Sequence, residues 1–371
     1  MTDLTQGSIF RHVWTMALPM MVGMFVQSLY LFVDLYFVAD LGAAAIAGVS
    51  AAANLTLLIM ALTQMLNVGC VALIARYTGA KEHQQANIVF QQAMLMGAAL
   101  ALLTLVLGFS LSDSYMYLLT ADPEVQQQAQ QFLYAYLPGL ALMFVSTAIA
   151  AALRAVGVVK PAMMVQLITV LLNIVLAPVL IAGWGTGYPL GVFGAGLASS
   201  LAVVVGVALL WLYFLKSDHS VLQTPKQWRF DAKVWRQITA IGVPAGGEFA
   251  LMFVFTAFVY WVIKDFGTAT QAAFGIGNRI LQAMMMPAMA LSFALPAIVG
   301  QNYGAGQAER VRQCFNIGLT QMALVMLPLF LLCQWLAHPL MLTFTDDLRV
   351  AAEGELFLQR EHPSLGTPHQ P

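Results

Sequence analysis

Asp34 and Glu248 offer the most distinctive chemistry in this chain, because each is a carboxylate set inside a long apolar run. Asp34 stands 15 residues beyond Pro19, about 22 Å further along a helix. It is followed by Leu35-Tyr36-Phe37-Val38-Ala39, which keeps it inside the apolar run rather than at its edge. A carboxylate at such depth is unfavourable unless a proton or cation joins it, so reversible binding of H⁺ or Na⁺ is the chemistry it predicts. The plainer alternative is solvation near the outer end of the span. Glu248 closes Pro244-Ala245-Gly246-Gly247-Glu248, where small residues admit a neighbouring helix and the proline loosens backbone hydrogen bonding. A structural glutamate there needs a buried partner. No metal site or soluble-enzyme motif competes with these two. Cys70, Cys314 and Cys333 have no paired spacing and read as packing residues, and the six histidines form no i, i+4 pair.

The elements that carry these residues must be transmembrane helices. Charged residues are 9% of the 371 and hydrophobic residues 60%, against roughly 25% charged in a soluble domain. A chain this short cannot hide so much apolar surface in a soluble core. Nine stretches are long and apolar enough to span a bilayer: 13–38, 43–75, 88–111, 129–153, 162–183, 190–215, 238–263, 269–299 and 314–337. Leu95–Phe109 is apolar on every face, which excludes barrel strands. The first stretch is too long for a signal peptide and no cleavage site follows it. With the N-terminus in the cytoplasm, twelve of the 16 basic residues fall on cytoplasmic segments, Lys216 to Arg236 being the richest, and only Lys264 and Arg349 on outer loops. A net charge of −1 leaves no basic patch for nucleic acid.

An internal repeat organises the spans. A constant shift of 225 residues carries Ala17-Leu18-Pro19 onto Gly242-Val243-Pro244 and Asp40-Leu41-Gly42 onto Asp265-Phe266-Gly267. The same shift carries Gly79-Ala80 onto Gly304-Ala305 and Thr120, Asp122 and Val125 onto Thr345, Asp347 and Val350. Six spans separate the copies, so both enter the membrane in the same direction. Parallel repeats of this kind belong to transporters with a shared central site. The predicted fold class is an all-α polytopic membrane protein with two parallel-repeat lobes. Residues 1–217 form the N-terminal lobe of six helices, 218–233 a cytoplasmic linker, and 234–358 helices seven to nine and the start of ten. Beyond Phe357-Leu358 the second copy stops matching, and 359–371 is a divergent polar tail. The expectation is a shortened or frame-shifted copy of a twelve-helix protein.

These residues resemble the multidrug and toxic compound extrusion (MATE) family. Leu18-Pro19 with Val33-Asp34 and Leu41-Gly42, Ala152-Leu153-Arg154-Ala155-Val156-Gly157 with Pro161, and Val299-Gly300-Gln301-Asn302-Tyr303-Gly304 carry the likeness. Asn173-Ile174-Val175-Leu176 and Gly194-Ala195-Gly196-Leu197-Ala198-Ser199 add to it. The resemblance implies an antiporter in the bacterial inner membrane that exports cationic or amphipathic small molecules in exchange for H⁺ or Na⁺, without a cofactor and as a monomer. It assigns cation or proton coupling to Asp34, with Asn173 and Ser199 as oxygen ligands and Glu248 as a second carboxylate. Ala177 stands where many members place another acid, which leans the expectation towards protons. Gln27 and Tyr30 fall one and two turns before Asp34, and the resemblance makes them cavity residues together with Met24 and Met286. Pro19 and Pro244 are the expected helix hinges. Arg154 and Lys160 bracket a turn, where topology and gating are both adequate explanations, and Arg279 reads as structural. A lipid-linked sugar flippase would need arginines and lysines in its cavity to hold pyrophosphate, whereas only Arg279 is placed at membrane depth. A membrane enzyme would need clustered nucleophiles or His-Asp pairs, and an inactive remnant is the third alternative.

Overall fold

A computed structural model describes residues 3–39, 41–119, 122–185, 187–216, 229–263, 266–345 and 348–359. Nine helices among the described residues are long and apolar enough to cross a membrane. In chain order they are α1 (Ile9–Ala39), α2 (Ala43–Gly79), α3 (His83–Leu119), α4 (Pro123–Ala155), α5 (Lys160–Ile181), α6 (Gly191–Lys216), α7 (Ala232–Ile263), α8 (Thr268–Gly304) and α9 (Ala308–Leu342). A short α10 (Leu348–Gln359) follows and packs on α8 and α9. Several helices run past the apolar stretches that announce them. Apolar length marks only the lipid-facing part, whereas capping sets where a helix starts. In α4, Asp122 is the N-cap, its side chain accepts a hydrogen bond from the Glu124 N–H at 2.9 Å, and Pro123 occupies the first turn.

Lipid is the solvent for the outer faces. Leu251, Phe255, Phe258 and Trp261 on α7 and Leu324, Leu327, Phe330 and Leu331 on α9 are exposed large apolar side chains. A water-soluble protein rarely shows continuous patches of this kind. The interior of the first six helices is instead close-packed around Leu66, Ile74, Phe90, Leu133, Phe144 and Ile149. A second, smaller cluster joins Ile280, Cys333, Ala337, Met341, Ala351 and Leu358 of α8 to α10. The predicted linker 218–233 lies largely outside the described residues.

The repeat is visible in the backbone itself. Gly42 and Gly267, which are 225 apart, both cap the following helix with φ near the same left-handed value, 105° and 100°. An L side chain rarely adopts that conformation, so glycine is needed in each copy. At the far ends of α2 and α8 the C-caps Ala80 and Ala305 bond back to equivalent carbonyls, Arg76 and Thr78 in one and Gln301 and Tyr303 in the other. One position breaks the rule. Lys81 takes a φ of 60° where the second copy has Gly306 at 73°.

The two lobes meet along α2, which packs on α4 within its own lobe and on α7 and α8 of the other. A Cβ added to Gly79 would collide with the Gln301 carbonyl, and one added to Gly304 would collide with the Arg76 carbonyl. Shifting by 225 turns the first contact into the second, so the lobes touch through a pseudo-twofold pair. The α2–α7 crossing uses Gly69 against Ile238 and Gly242 against Met65. At the repeat-equivalent positions of α1 and α8, which also pack together, stand Val13, Ala17, Ala290 and Ala294, all fully buried.

Candidate functional site

A cavity of about 380 Å³ lies within the first lobe. It is walled by α1, α2, α4, α5 and α6, and α8 contributes Phe293 from the second lobe. The apolar part of the wall is rich in methionine, with Met20, Met24, Met60, Met143 and Met163. Such side chains adapt to ligands of different shape. Much of the polar part comes from stripes on two helices, with Gln27 of α1, Ser146, Thr147 and Arg154 of α4 and Ser199 of α6 beside them. Thr63, Gln64 and Asn67 on α2, and Gln166, Thr169 and Asn173 on α5, recur at helical spacing and so face one side.

Hydrogen bonds hold this polar wall in place. Gln166 Nε2 donates to Gln27 Oε1 at 2.8 Å, joining α5 to α1. Asn173 Nδ2 donates to Ser199 Oγ at 3.2 Å, joining α5 to α6, with both residues buried. Asn67 Nδ2 donates to Gln64 Oε1 at 2.9 Å, and the Arg154 guanidinium donates to Asn67 Oδ1 across 87 residues of sequence. Arg154 is the only charged side chain among the described residues that line the cavity.

One end of the bundle is closed, at the C-terminal ends of α2, α4 and α8. Gln301 is its centre. Its Nε2 donates to the Ala155 carbonyl of α4 at 2.8 Å, and its Oε1 accepts from the Leu4 N–H at 3.1 Å. Asn302 Nδ2 donates to the Leu4 carbonyl at 3.1 Å, and Arg310 holds Asn302 Oδ1 and the Gly7 carbonyl. The segment before α1 is thereby strapped to the second lobe, with Leu4 fully buried beneath it. Arg76 adds a cation–π contact, 5.5 Å from the Tyr303 ring.

The family model for MatE matches residues 19–179 and 244–360, which is most of the chain and both copies of its repeat. The chain belongs to the MatE family. Two relatives agree. It is 25% identical over 351 residues to an FAD transporter of Shewanella oneidensis, covering 94% of this chain and 77% of that one. It is 25% identical over 351 residues to a probable multidrug resistance protein NorM of Halalkalibacterium halodurans, covering 93% and 75%. The fold is that of a solved MOP-superfamily transporter from Pyrococcus furiosus, with a TM-score of 0.88 at 24% identity, covering 96% of this chain and 79% of that one. The family is one of transporters, not enzymes.

In this MATE chain the cavity gathers four of the residues that the sequence singles out: Met24, Gln27, Asn173 and Ser199. Asp34 and Tyr30 belong to α1, but their side chains lie outside the described residues. Glu248 is exposed on α7, and neither it nor Met286 is among the lining residues. Pro19 and Pro244 sit inside α1 and α7, and both helices continue through them. Sequence reasoning missed Thr63, Gln64, Asn67 and Gln166. Their signal was available as polar side chains at i, i+3 and i+4 within otherwise apolar spans. It placed Arg154 beside a turn, where α4 does end, but not its side chain, which donates to Asn67 of α2 and lines the cavity.

Proposed function

We propose that this MATE chain is a secondary active exporter of small amphipathic molecules, driven by inward movement of H⁺ or Na⁺ and working by alternating access. The observation that carries this is a methionine-rich cavity beside a pseudo-symmetric contact that seals one end of the two-lobe bundle. Two similar lobes meeting in a symmetric contact can rock about it and expose the cavity to either side. The distribution of basic residues supports a cytoplasmic N-terminus in a bacterial inner membrane, which makes the sealed end cytoplasmic. The state described is then closed towards the cytoplasm.

In this mechanism Asp34 is the coupling carboxylate. Asn173 and Ser199 supply neutral oxygens on the neighbouring helices, and Glu248 on α7 is a second acid. Cargo enters while Asp34 is free of the ion. The ion binds better to the outward state, and that difference in affinity drives release. Pro19 and Pro244 permit α1 and α7 to bend, and residues 1–217 and 234–358 move as lobes about the linker 218–233. Transport by a single copy needs no partner chain and no cofactor.

The test is accumulation of a panel of fluorescent amphiphiles, ethidium among them, in efflux-deficient bacteria. Cells expressing the chain at levels matched to its Asp34→Asn variant should hold less of at least one dye, and the variant should restore accumulation to that of empty cells. Equal accumulation of every dye in all three strains would refute export.

A further inference from the structure

We infer that the cavity recognises an acidic group, a carboxylate or phosphate on its cargo, through Arg154. This rests on the exporter reading above and names the chemistry of what that exporter carries. Two independent features of the wall support it.

The first is charge. Arg154 is the second-last residue of α4 and lines the cavity beside the sealed end, where the next residue, Ala155, receives Gln301. Its guanidinium donates to Asn67 Oδ1, an uncharged acceptor. No carboxylate is among the described lining residues. A guanidinium has five N–H donors in a planar fork suited to two oxygens of one acid. A cation facing an apolar, methionine-lined chamber is unfavourable until an anion joins it.

The second is hydrogen-bond polarity. Gln27 Oε1 accepts from Gln166, and Gln64 Oε1 accepts from Asn67. Asn67 Oδ1 accepts from Arg154. The oxygen of Gln166 lies against α1, where a Cβ on Gly23 would meet it at 2.9 Å. Those three amide oxygens are thus engaged within the wall, while Gln27 Nε2 and Gln64 Nε2 remain as donors lining the same cavity as the guanidinium. Free amide donors on the same wall as a guanidinium match a ligand rich in acceptors, as an acid is. The same cation opposes a ligand whose only charge is positive.

Three dyes sharing one boron-dipyrromethene core test this, one with a carboxylate tail, one with its methyl ester and one with a trimethylammonium tail. Their binding is followed by fluorescence anisotropy to the purified chain in phosphatidylcholine nanodiscs. The carboxylate should bind about tenfold tighter than the ester, as expected for one charge-assisted contact. Arg154→Gln should remove about that tenfold for the carboxylate and change the ester by less than about twofold, with Arg154→Lys in between. Equal binding of carboxylate and ester by the parent chain, tightest binding of the ammonium dye, or equal weakening of all three in Arg154→Gln overturns the inference. The parent-chain comparison decides the matter even where the variant does not fold. Adding phosphatidylglycerol separates the two sources of acid. Displacement of the carboxylate dye by that lipid supports a headgroup as the ligand, and its persistence supports a soluble cargo. Uptake of the carboxylate dye into proteoliposomes under an imposed ion gradient isolates the exporter reading: binding without uptake sinks export and leaves acid recognition standing.

Discussion

Replacing Gly304 with valine attacks the seal between the lobes at its narrowest point. The new Cβ would lie well inside contact distance of the Arg76 carbonyl, and close to the Ala80 backbone nitrogen at 2.9 Å. Both obstacles are backbone atoms of α2 and its C-cap, so no side chain can swing aside. The helices must part by roughly 1 Å, enough to lose a large share of the dispersion energy along the crossing. Overpacking of this type costs about 1–3 kcal/mol, which moves a two-state equilibrium about 5- to 150-fold. The opposite state breaks this contact and is spared the clash. Spin labels on exposed Glu82 and Arg312, one on each lobe near the sealed end, report the change by double electron–electron resonance in a background without the three native cysteines. The parent chain should give one dominant short distance, and Gly304→Val a new, longer population. An unchanged distance distribution in a variant that melts at the same temperature would refute the glycine contact as the seal.

Other consequences are open to simpler measurements. Gln301→Ala strips partners from the Ala155 carbonyl and the Leu4 N–H at a buried site. It should lower stability by about 1–3 kcal/mol, read from thermal melting in detergent, and should speed proteolysis before α1. Lys81→Gly should raise stability by about 1 kcal/mol, because the left-handed φ is relieved as at Gly306. A lower melting temperature in that variant would show that the lysine side chain matters more than its backbone. Asp3 is held below the usual carboxylate range by side-chain and backbone hydrogen bonds from Thr5. A depressed folded-state value means its contribution is present above the unfolded value and is lost as pH falls through the folded one. The protection of the Thr5 amide, taken relative to its intrinsic exchange rate at each pH, should therefore fall on acidification, and in Asp3→Asn it should lose that acid step.

Much of this protein is legible from its residues in order. A bilayer imposes a length on every crossing, so nine apolar runs announce nine helices without any knowledge of their packing. The repeat is legible because Gly42 and Gly267 serve the same strained cap, and Gly79 and Gly304 the same close contact, where other residues are disfavoured. Depth along a span is likewise a matter of counting. What residue order cannot supply is the direction in which a side chain faces, because that depends on which distant helix lies alongside. Glu248 shares a helix with Gly242 and Gly246, and the packing of those glycines on α2 leaves it exposed and off the cavity. Arg154 sits one residue from the end of its helix, where solvation would be the default, yet α2 brings Asn67 within reach and turns it into a wall of the cavity. Local pattern determines where a helix starts, ends and crosses. Only the contacts between residues far apart decide which face becomes a site.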